Sequence, residues 1–286
     1  MKKILVTGAN GQLGQCLQKI SSQFEEFEFI FTDSETLDIT NKEEVNDFFW
    51  QNAPDFCINA AAYTAVDLAE TDIEKAFLVN ADGTENLAEA CAENNAQFIH
   101  VSTDYVFDGE NNLAYTEEDF TNPLGVYGAS KLAGDELALE VNPCSVILRT
   151  SWVYSEFGKN FVKTMLNLFA TKEELNIVAD QFGQPTNAND LAEAIMKIIK
   201  SEKITPGIFN FSNLGRISWF DFAEKIAELS EAKIKLNAIE TSQYPTPAKR
   251  PKNSVLDLGK ISKTYAIQLK PWEESLEDCV QILQNN

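Results

Sequence analysis

A phenol and an ammonium stand four residues apart in Tyr127-Gly128-Ala129-Ser130-Lys131. On a helix that spacing places both on one face. A neighbouring ammonium favours tyrosinate, so Lys131 is expected to draw the Tyr127 pKa down toward the operating pH, where a general acid/base works best. The pattern alone is weak evidence, because a Tyr four residues before a Lys arises by chance about 0.5 times in a chain of this composition. Its position adds weight: it opens the helix after the fourth apolar strand, and that strand ends in Ser102-Thr103-Asp104. A hydroxyl there would hydrogen-bond a substrate carbonyl oxygen, although a lone Ser102 or Thr103 more often caps a turn.

Gly8-Ala9-Asn10-Gly11-Gln12-Leu13-Gly14 is a G-x-x-G-x-x-G loop between the first strand and the first helix. Glycines at Gly8, Gly11 and Gly14 permit a tight turn and close approach of backbone to a pyrophosphate, which the helix's positive N-terminal end favours. By chance the spacing arises on the order of 0.03 times per chain, so a dinucleotide loop is preferred over a plain glycine turn. Asp33 ends the second strand about 20 residues on, where a carboxylate would accept hydrogen bonds from an adenosine ribose. Its bland role is a turn cap with Ser34 and Thr36. Asp33 would repel a 2′-phosphate and no Arg follows it, so NADH is expected to be acceptable alongside NADPH.

The elements that must position these residues follow from periodicity. Short apolar runs at Lys3–Thr7, Phe27–Thr32, Asp55–Asn59, Gln97–Ser102 and Cys144–Thr150 read as strands, with helices expected over 11–21, 41–52, 81–95 and 127–141. Such alternation implies an α/β fold, a Rossmann-type doubly wound parallel sheet with helices on both faces. Unbroken apolarity in Ile4-Leu5-Val6 suits strands buried on both sides. Thr40 and Glu43 form a capping-box pattern for the second helix, and Asn142 with Pro143 ends the fourth. Beyond about residue 150, Pro185, Pro206, Pro245, Pro247, Pro251 and Pro271 break the pattern into shorter pieces, with amphipathic helices over 189–201 and 218–230. Residues 1–150, with parts of 175–205 added, are expected to form the dinucleotide domain, and 151–286 mainly a smaller α/β substrate lobe over the sheet's carboxyl edge. The site is then a cleft between lobes.

A formal charge of −21 argues against nucleic acid and anionic membranes as partners. Cys16, Cys57, Cys91, Cys144 and Cys279 are odd in number and never in C-x-x-C spacing, which disfavours a disulfide framework or a zinc site and fits a reducing cytoplasm. No stretch approaches the roughly 20 apolar residues of a membrane span. His100, the sole histidine, lies in an apolar strand and reads as a core residue, with no Ser/His/Asp triad around it.

Seven blocks in order carry a resemblance: Thr7 to Gly14, Asn59 to Asp67, Ser102 to Gly109, Tyr127 to Lys131, Arg149 to Tyr154, Asp180 to Thr186 and Tyr244 to Pro251. Together the chain resembles the dTDP-4-dehydrorhamnose reductases of the extended short-chain dehydrogenase/reductase superfamily, nearly end to end. The first and fourth blocks mark the superfamily, and the third, fifth and seventh are more specific. The resemblance implies NAD(P)H-dependent reduction of the 4-keto group of a dTDP-sugar, with Tyr127 as proton donor, Lys131 as its partner and a ribose contact, and Thr103, beside Asp104, polarising the oxygen. It places Trp152 against the sugar, where a lone Trp would otherwise be core. It assigns the dinucleotide to Asn10, Gln12, Leu13, Asp33, Asp38, Ile39, Ala62, Tyr63 and Thr64. Arg250, in the basic run Lys249-Arg250-Pro251-Lys252, would meet the substrate's diphosphate. Some members bridge a dimer through a glutamate-held metal. Here those positions are Cys16 and Asn189, so no metal is expected, and the chain would act as a monomer or homodimer. Two alternatives share part of the pattern: an extended reductase or epimerase for another nucleotide sugar, and a non-catalytic regulatory subunit of the methionine adenosyltransferase type. Retention of Thr103, Tyr127 and Lys131 speaks against the second.

Overall fold

Ile4, Leu5 and Val6 have no solvent exposure, and their alternation shows why the sheet is covered twice. Ile4 and Val6 point into a core built with Leu13, Leu17, Leu191 and Ile195, whereas Leu5 points into one built with Val45, Phe49, Leu87 and Ala138. A computed structural model describes residues 1–285. Its main sheet contains β1 (Lys2–Thr7), β2 (Phe27–Phe31), β3 (Phe56–Asn59), β4 (Gln97–Thr103), β5 (Val146–Thr150) and an edge strand Gly207–Asn210. The order is edge strand, β5, β4, β3, β1, β2, and every pair is parallel. The Rossmann-type doubly wound sheet expected from the alternation is therefore present. Winding reverses at β1, which lies between β2 and β3, and the crevice outside that reversal is where such sheets bind ligands.

Helix α1 (Gln12–Ser21) and the helix Ala188–Ile199 pack on each other over one face. Helix α2 (Lys42–Asn52) and the helices Gly83–Glu93 and Val126–Val141 cover the other. Boundaries fall within two residues of the sequence expectation for most of these. The cap of α2 is a correction. Thr40 and Glu43 do not form its box: Asn41 is the N-cap and accepts from the Glu44 amide, while the Glu44 carboxylate turns back to accept from the Asp38 amide. The Thr40 hydroxyl instead donates to Asp38. Asn is preferred over Thr as an N-cap, and here it takes the position one residue later.

A further departure is the start of the helix expected at residue 81. A π-helical turn spans Leu78–Asp82, and the α-helix begins only at Gly83. Such turns are inserted where a side chain must be re-aimed. Here the residue is Asn80, fully buried, whose amide accepts from the Tyr63 amide and donates to the Tyr63 carbonyl and to Ser130 Oγ.

The second half forms a third core around Phe222, Ile226, Trp272 and Leu276, with the helices Phe161–Phe169, Trp219–Leu229 and Trp272–Gln284. Two longer strands there, Glu174–Val178 and Lys235–Ile239, pair in parallel. Ser218 caps the helix Trp219–Leu229 in a full capping box with Asp221. Among the described residues no helix is long and apolar enough to cross a membrane.

Gly14 lies in the first turn of α1, where a Cβ would overlap the Gly8 carbonyl oxygen and the Ala9 backbone. Gly14→Ala is expected to destabilise the fold by about 1–3 kcal/mol, the usual range for overpacking. Urea denaturation measures this, and an unchanged midpoint would show that the loop has slack.

Candidate functional site

The carboxyl ends of β1, β3, β4 and β5 open onto one cleft of about 930 Å³. Its floor at one end is the glycine loop. Gly8 has φ +68°, and a Cβ there would lie 2.6 Å from the Ala60 carbonyl oxygen, so the first turn of the loop is possible only without a side chain. Gly8, Asn10, Gly11, Gln12 and Leu13 line the cleft. Gly14 does not, and acts by letting α1 lie close under the loop. Gln12 also ties the two halves of the chain together: its carbonyl accepts from Asn160 at 2.8 Å and Ser155 at 3.2 Å, and its amide donates to the Val153 carbonyl.

Asp33, Asp38, Ile39, Ala62 and Thr64 line the same wall. One oxygen of Asp33 accepts from Thr36 and from the Glu35 amide, while the other accepts from the Asn10 side chain at 2.6 Å. These bonds, led by that from Thr36, hold its carboxyl below the usual range. The turn-capping role and a place at the cleft therefore coexist. Tyr63 is the exception in this group, because its backbone is held by Asn80 and its hydroxyl turns to Asp72 at 3.2 Å rather than into the cleft.

Thr103, Asp104, Tyr127, Lys131 and Trp152 come together further along the cleft. The helix Val126–Val141 is aimed by a remote cap: Glu70 Oε1 accepts from the Val126 amide at 2.9 Å, placing a carboxylate on the helix's positive end. The Thr103 hydroxyl donates to Asp104 Oδ1 at 3.0 Å and accepts from the Tyr105 amide. Burial lifts the Asp104 carboxyl to about 7. Burial pushes the Tyr127 phenol up to about 12, with Thr103 pulling in the opposite direction.

The expectation that Lys131 lowers the Tyr127 pKa is not met in this form. Lys131 is buried, and its Nζ is engaged with the Val101 carbonyl at 2.8 Å and His100 Nε2 at 3.0 Å. Burial brings Lys131 down to about 8. At about 8 it is still mostly an ammonium at neutral pH, so it is the burial of the phenol itself that outweighs it and keeps Tyr127 high. His100, expected as a core residue, is fully buried and also a direct partner of Lys131. Its even spacing from Ser102 on β4 puts both side chains on one face of the strand, a signal that periodicity contains.

Trp152 follows β5 with φ +46°, a conformation that a bulky residue adopts only under constraint. Its ring stacks on Trp219 at 3.5 Å between centroids and 9° between planes, and Gly183 leaves the space it occupies. Trp219 also lines the cleft. Sequence reasoning missed it, since a Trp opening an amphipathic helix reads as core.

Comparison with known proteins matches residues 1–285 to a family described as the RmlD substrate binding domain. A dTDP-4-dehydrorhamnose reductase of Aggregatibacter actinomycetemcomitans is 45% identical over 288 residues, covering 97% of this chain and 98% of that one. The crystal structure of a dTDP-4-dehydrorhamnose reductase from Clostridium acetobutylicum superposes with a TM-score of 0.95 at 44% identity, covering 99% of both chains. That of the Bacillus anthracis dTDP-4-dehydrorhamnose reductase in complex with NADP gives 0.95 at 38%, covering 99% of this chain and 100% of that one. The chain belongs to the RmlD family.

Within this RmlD-family chain two expected positions need comment. Arg250 does not line the cleft. Its guanidinium makes a two-point pair with Asp67, at 2.6 and 2.8 Å, and also donates to the Ala248 carbonyl, because the Pro245 to Pro251 segment needs an anchor on the helix Val66–Ala69. A fork already matched to a carboxylate is not a free cation for a diphosphate. The second position concerns metal. Near Cys16 and Asn189 the carboxylate of Glu156 is met by the Lys19 ammonium at 2.6 Å and by the Asn189 amide at 2.9 Å. Cys16 is buried, and burial first, then Glu156, raises its thiol to about 12, away from the thiolate that metals bind. Extended dialysis against a strong chelator is expected to leave turnover unchanged. Complete loss restored by a divalent metal would overturn this.

Proposed function

We propose that this chain catalyses the NAD(P)H-dependent reduction of the 4-keto group of dTDP-4-dehydro-L-rhamnose, giving dTDP-L-rhamnose. The observation that supports it most is the convergence of Thr103, Tyr127 and Lys131 on the wall of the cleft whose other end is the glycine loop. The loop fits a dinucleotide, since Gly8 and Gly14 leave room only for backbone against Ala60 and Gly8, which lets the turn pack tightly under the helix and present Asn10 to Leu13 to the cleft. A reduced nicotinamide supplies the hydride when bound.

The chain's own residues do the remaining work. Tyr127 donates a proton to the developing alkoxide at the keto carbon, and a phenol at about 12 arrives at this step fully protonated at neutral pH. Thr103 turns its hydroxyl from Asp104 to the same oxygen, adding a second donor where charge develops. Lys131 contacts the nicotinamide ribose. Gly8, Asn10, Gly11, Gln12 and Leu13 cradle the pyrophosphate, Asp33 accepts from the adenosine ribose, and Asp38, Ile39, Ala62 and Thr64 complete that wall, with Tyr63 holding the loop's shape. Trp152 and Trp219 form a flat face for the sugar. We assign residues 1–150 together with the helix Ala188–Ile199 and the edge strand Gly207–Asn210 to the dinucleotide domain, and the rest to the substrate lobe. We place its action, as a monomer or homodimer, in the cytoplasm, with which five unpaired cysteines, four of them buried and Cys144 exposed, accord.

The test is nicotinamide absorbance with the keto-sugar generated in situ. NADH or NADPH consumption dependent on that sugar is expected, and none with either cofactor would refute the reading. Tyr127→Phe should keep the fold and lose turnover by roughly 100-fold or more, the usual result of deleting a general acid. An undiminished rate would sink the assignment of Tyr127.

Cofactor choice is tested at Asp33. Its anionic carboxylate lies where a 2′-phosphate would approach, so NADH is expected to serve about as well as NADPH, and Asp33→Asn should move the preference toward NADPH. Steady-state kinetics with both cofactors decide it. Strict NADPH use by the wild type would show the residue misplaced.

A further inference from the structure

The wall of the cleft is acidic, yet a dinucleotide brings two further negative charges on its pyrophosphate. Asp33, Glu35, Asp38 and Asp104 line the cleft, and among the described residues the only cationic side chains on its wall are Lys131 and Lys159. Lys131 is buried, with its Nζ held by the Val101 carbonyl and His100. Lys159 is exposed. The two other lysines around its turn are committed: Lys19 Nζ pairs with Glu156 at 2.6 Å, and Lys163 Nζ donates to the Glu156 carbonyl at 2.9 Å. The Lys159 ammonium has no such partner among the described residues, so it is the one cation on the wall that is free to meet an anion.

The turn that carries Lys159 is built on the glycine loop. Asn160 Nδ2 donates to Gln12 Oε1 at 2.8 Å and to the Ser155 and Phe157 carbonyls at 2.8 and 3.2 Å, while Asn160 Oδ1 accepts from the Lys163 amide as the N-cap of the helix Phe161–Phe169. The Ser155 hydroxyl accepts from the Phe157 amide and donates to the same Gln12 oxygen. On the other side of Lys159, Gly158 has φ +62°, and a Cβ there would press on Gln12 Cγ at 3.0 Å. Lys159 therefore stands between two residues seated on Gln12, at the end of the cleft where Gly11, Gln12 and Leu13 face it. We infer that Lys159 is a binding residue for the cofactor's pyrophosphate, reaching from the second half of the chain toward the anion that the glycine loop and the N-terminus of α1 favour from the first. An ammonium on a flexible stem supplies charge there without demanding a fixed fork geometry. Local attraction of this kind is what a chain with a net charge of −21 needs in order to hold an anion.

The inference rests on reading the cleft as a dinucleotide site, and its test needs no turnover. Nicotinamide fluorescence is titrated with NADH against wild type, Lys159→Gln and Lys159→Arg. The side chain is exposed, so neither substitution disturbs a packed core. At low salt Lys159→Gln should raise the Kd for NADH roughly 5-fold, the upper end of what one partly exposed ion pair contributes. The difference should shrink as ionic strength rises, and Lys159→Arg should bind NADH as the wild type does. Equal NADH affinity for Lys159→Gln and wild type at low salt overturns the inference. NADH has no 2′-phosphate, so a loss confined to NADPH would place the lysine at that phosphate and overturns it too. Calorimetric titration with dTDP separates the substrate's diphosphate from the cofactor's. The expected result is an unchanged dTDP affinity in Lys159→Gln, and a loss there with NADH binding intact also refutes the assignment. Should the wild type bind NADH but reduce no keto-sugar, the proposed reaction fails while the comparison at Lys159 keeps its meaning.

Discussion

The burial of Lys131 constrains the rest of the site. Its stem and Nζ lie between the helix Val126–Val141 and β4, and a lysine at 1% exposure is tolerable only if every N–H and its charge state are accounted for. The Val101 carbonyl and His100 Nε2 are its two partners within hydrogen-bond distance, and the residue also borders the cleft. They also fix the helix against the strand that carries Thr103 two residues after Val101, so the spacing between the phenol and the hydroxyl follows from where the lysine is anchored. Removing a partner from such a site leaves a buried polar group unsatisfied, which costs about 1–3 kcal/mol and falls on the catalytic geometry itself.

Asparagine amides extend this control to the loops. Asn59 links β1, β3, β4 and the helix Gly83–Glu93 through Thr7, His100 and Thr84. Asn80 uses the π-helical turn to hold both backbone groups of Tyr63 and to reach Ser130 one turn along from Tyr127. The loop at Ala62 to Thr64 and the helix Val126–Val141 are thus fastened to a single buried amide. Gln12 does the same between the halves of the chain, and the strained Trp152 at φ +46° persists because Trp219 and the space left by Gly183 over-determine its position. Strain of about 1–3 kcal/mol at such a residue is typical of a surface shaped for a ligand.

Much was legible in the sequence because it is local. Continuous apolarity in Ile4-Leu5-Val6 determined a strand buried on both faces, the glycine spacing determined a loop that backbone approaches closely, and the four-residue interval from Tyr127 to Lys131 determined that both lie on one face of a helix. Those properties depend on covalent geometry and helical or strand period alone. The order of motifs along the chain was enough to indicate the family.

Charge states and side-chain partners were decided only by tertiary structure. Nothing in sequence spacing places Asp67 on Arg250, 183 positions away, or Lys19 on Glu156, so the cation expected to meet a diphosphate proves to be committed to a carboxylate. His100 is 31 residues from Lys131 and 41 from Asn59, and the three side chains meet only when β3 and β4 are side by side under the helix Val126–Val141. Desolvation, which sets the pKa values of Tyr127, Lys131 and Asp104, is likewise a property of the packed cleft and not of any segment. Sequence determines which groups the chain can bring to a site; burial and long-range hydrogen bonding decide which of them remain free to act, because both depend on neighbours that only folding supplies.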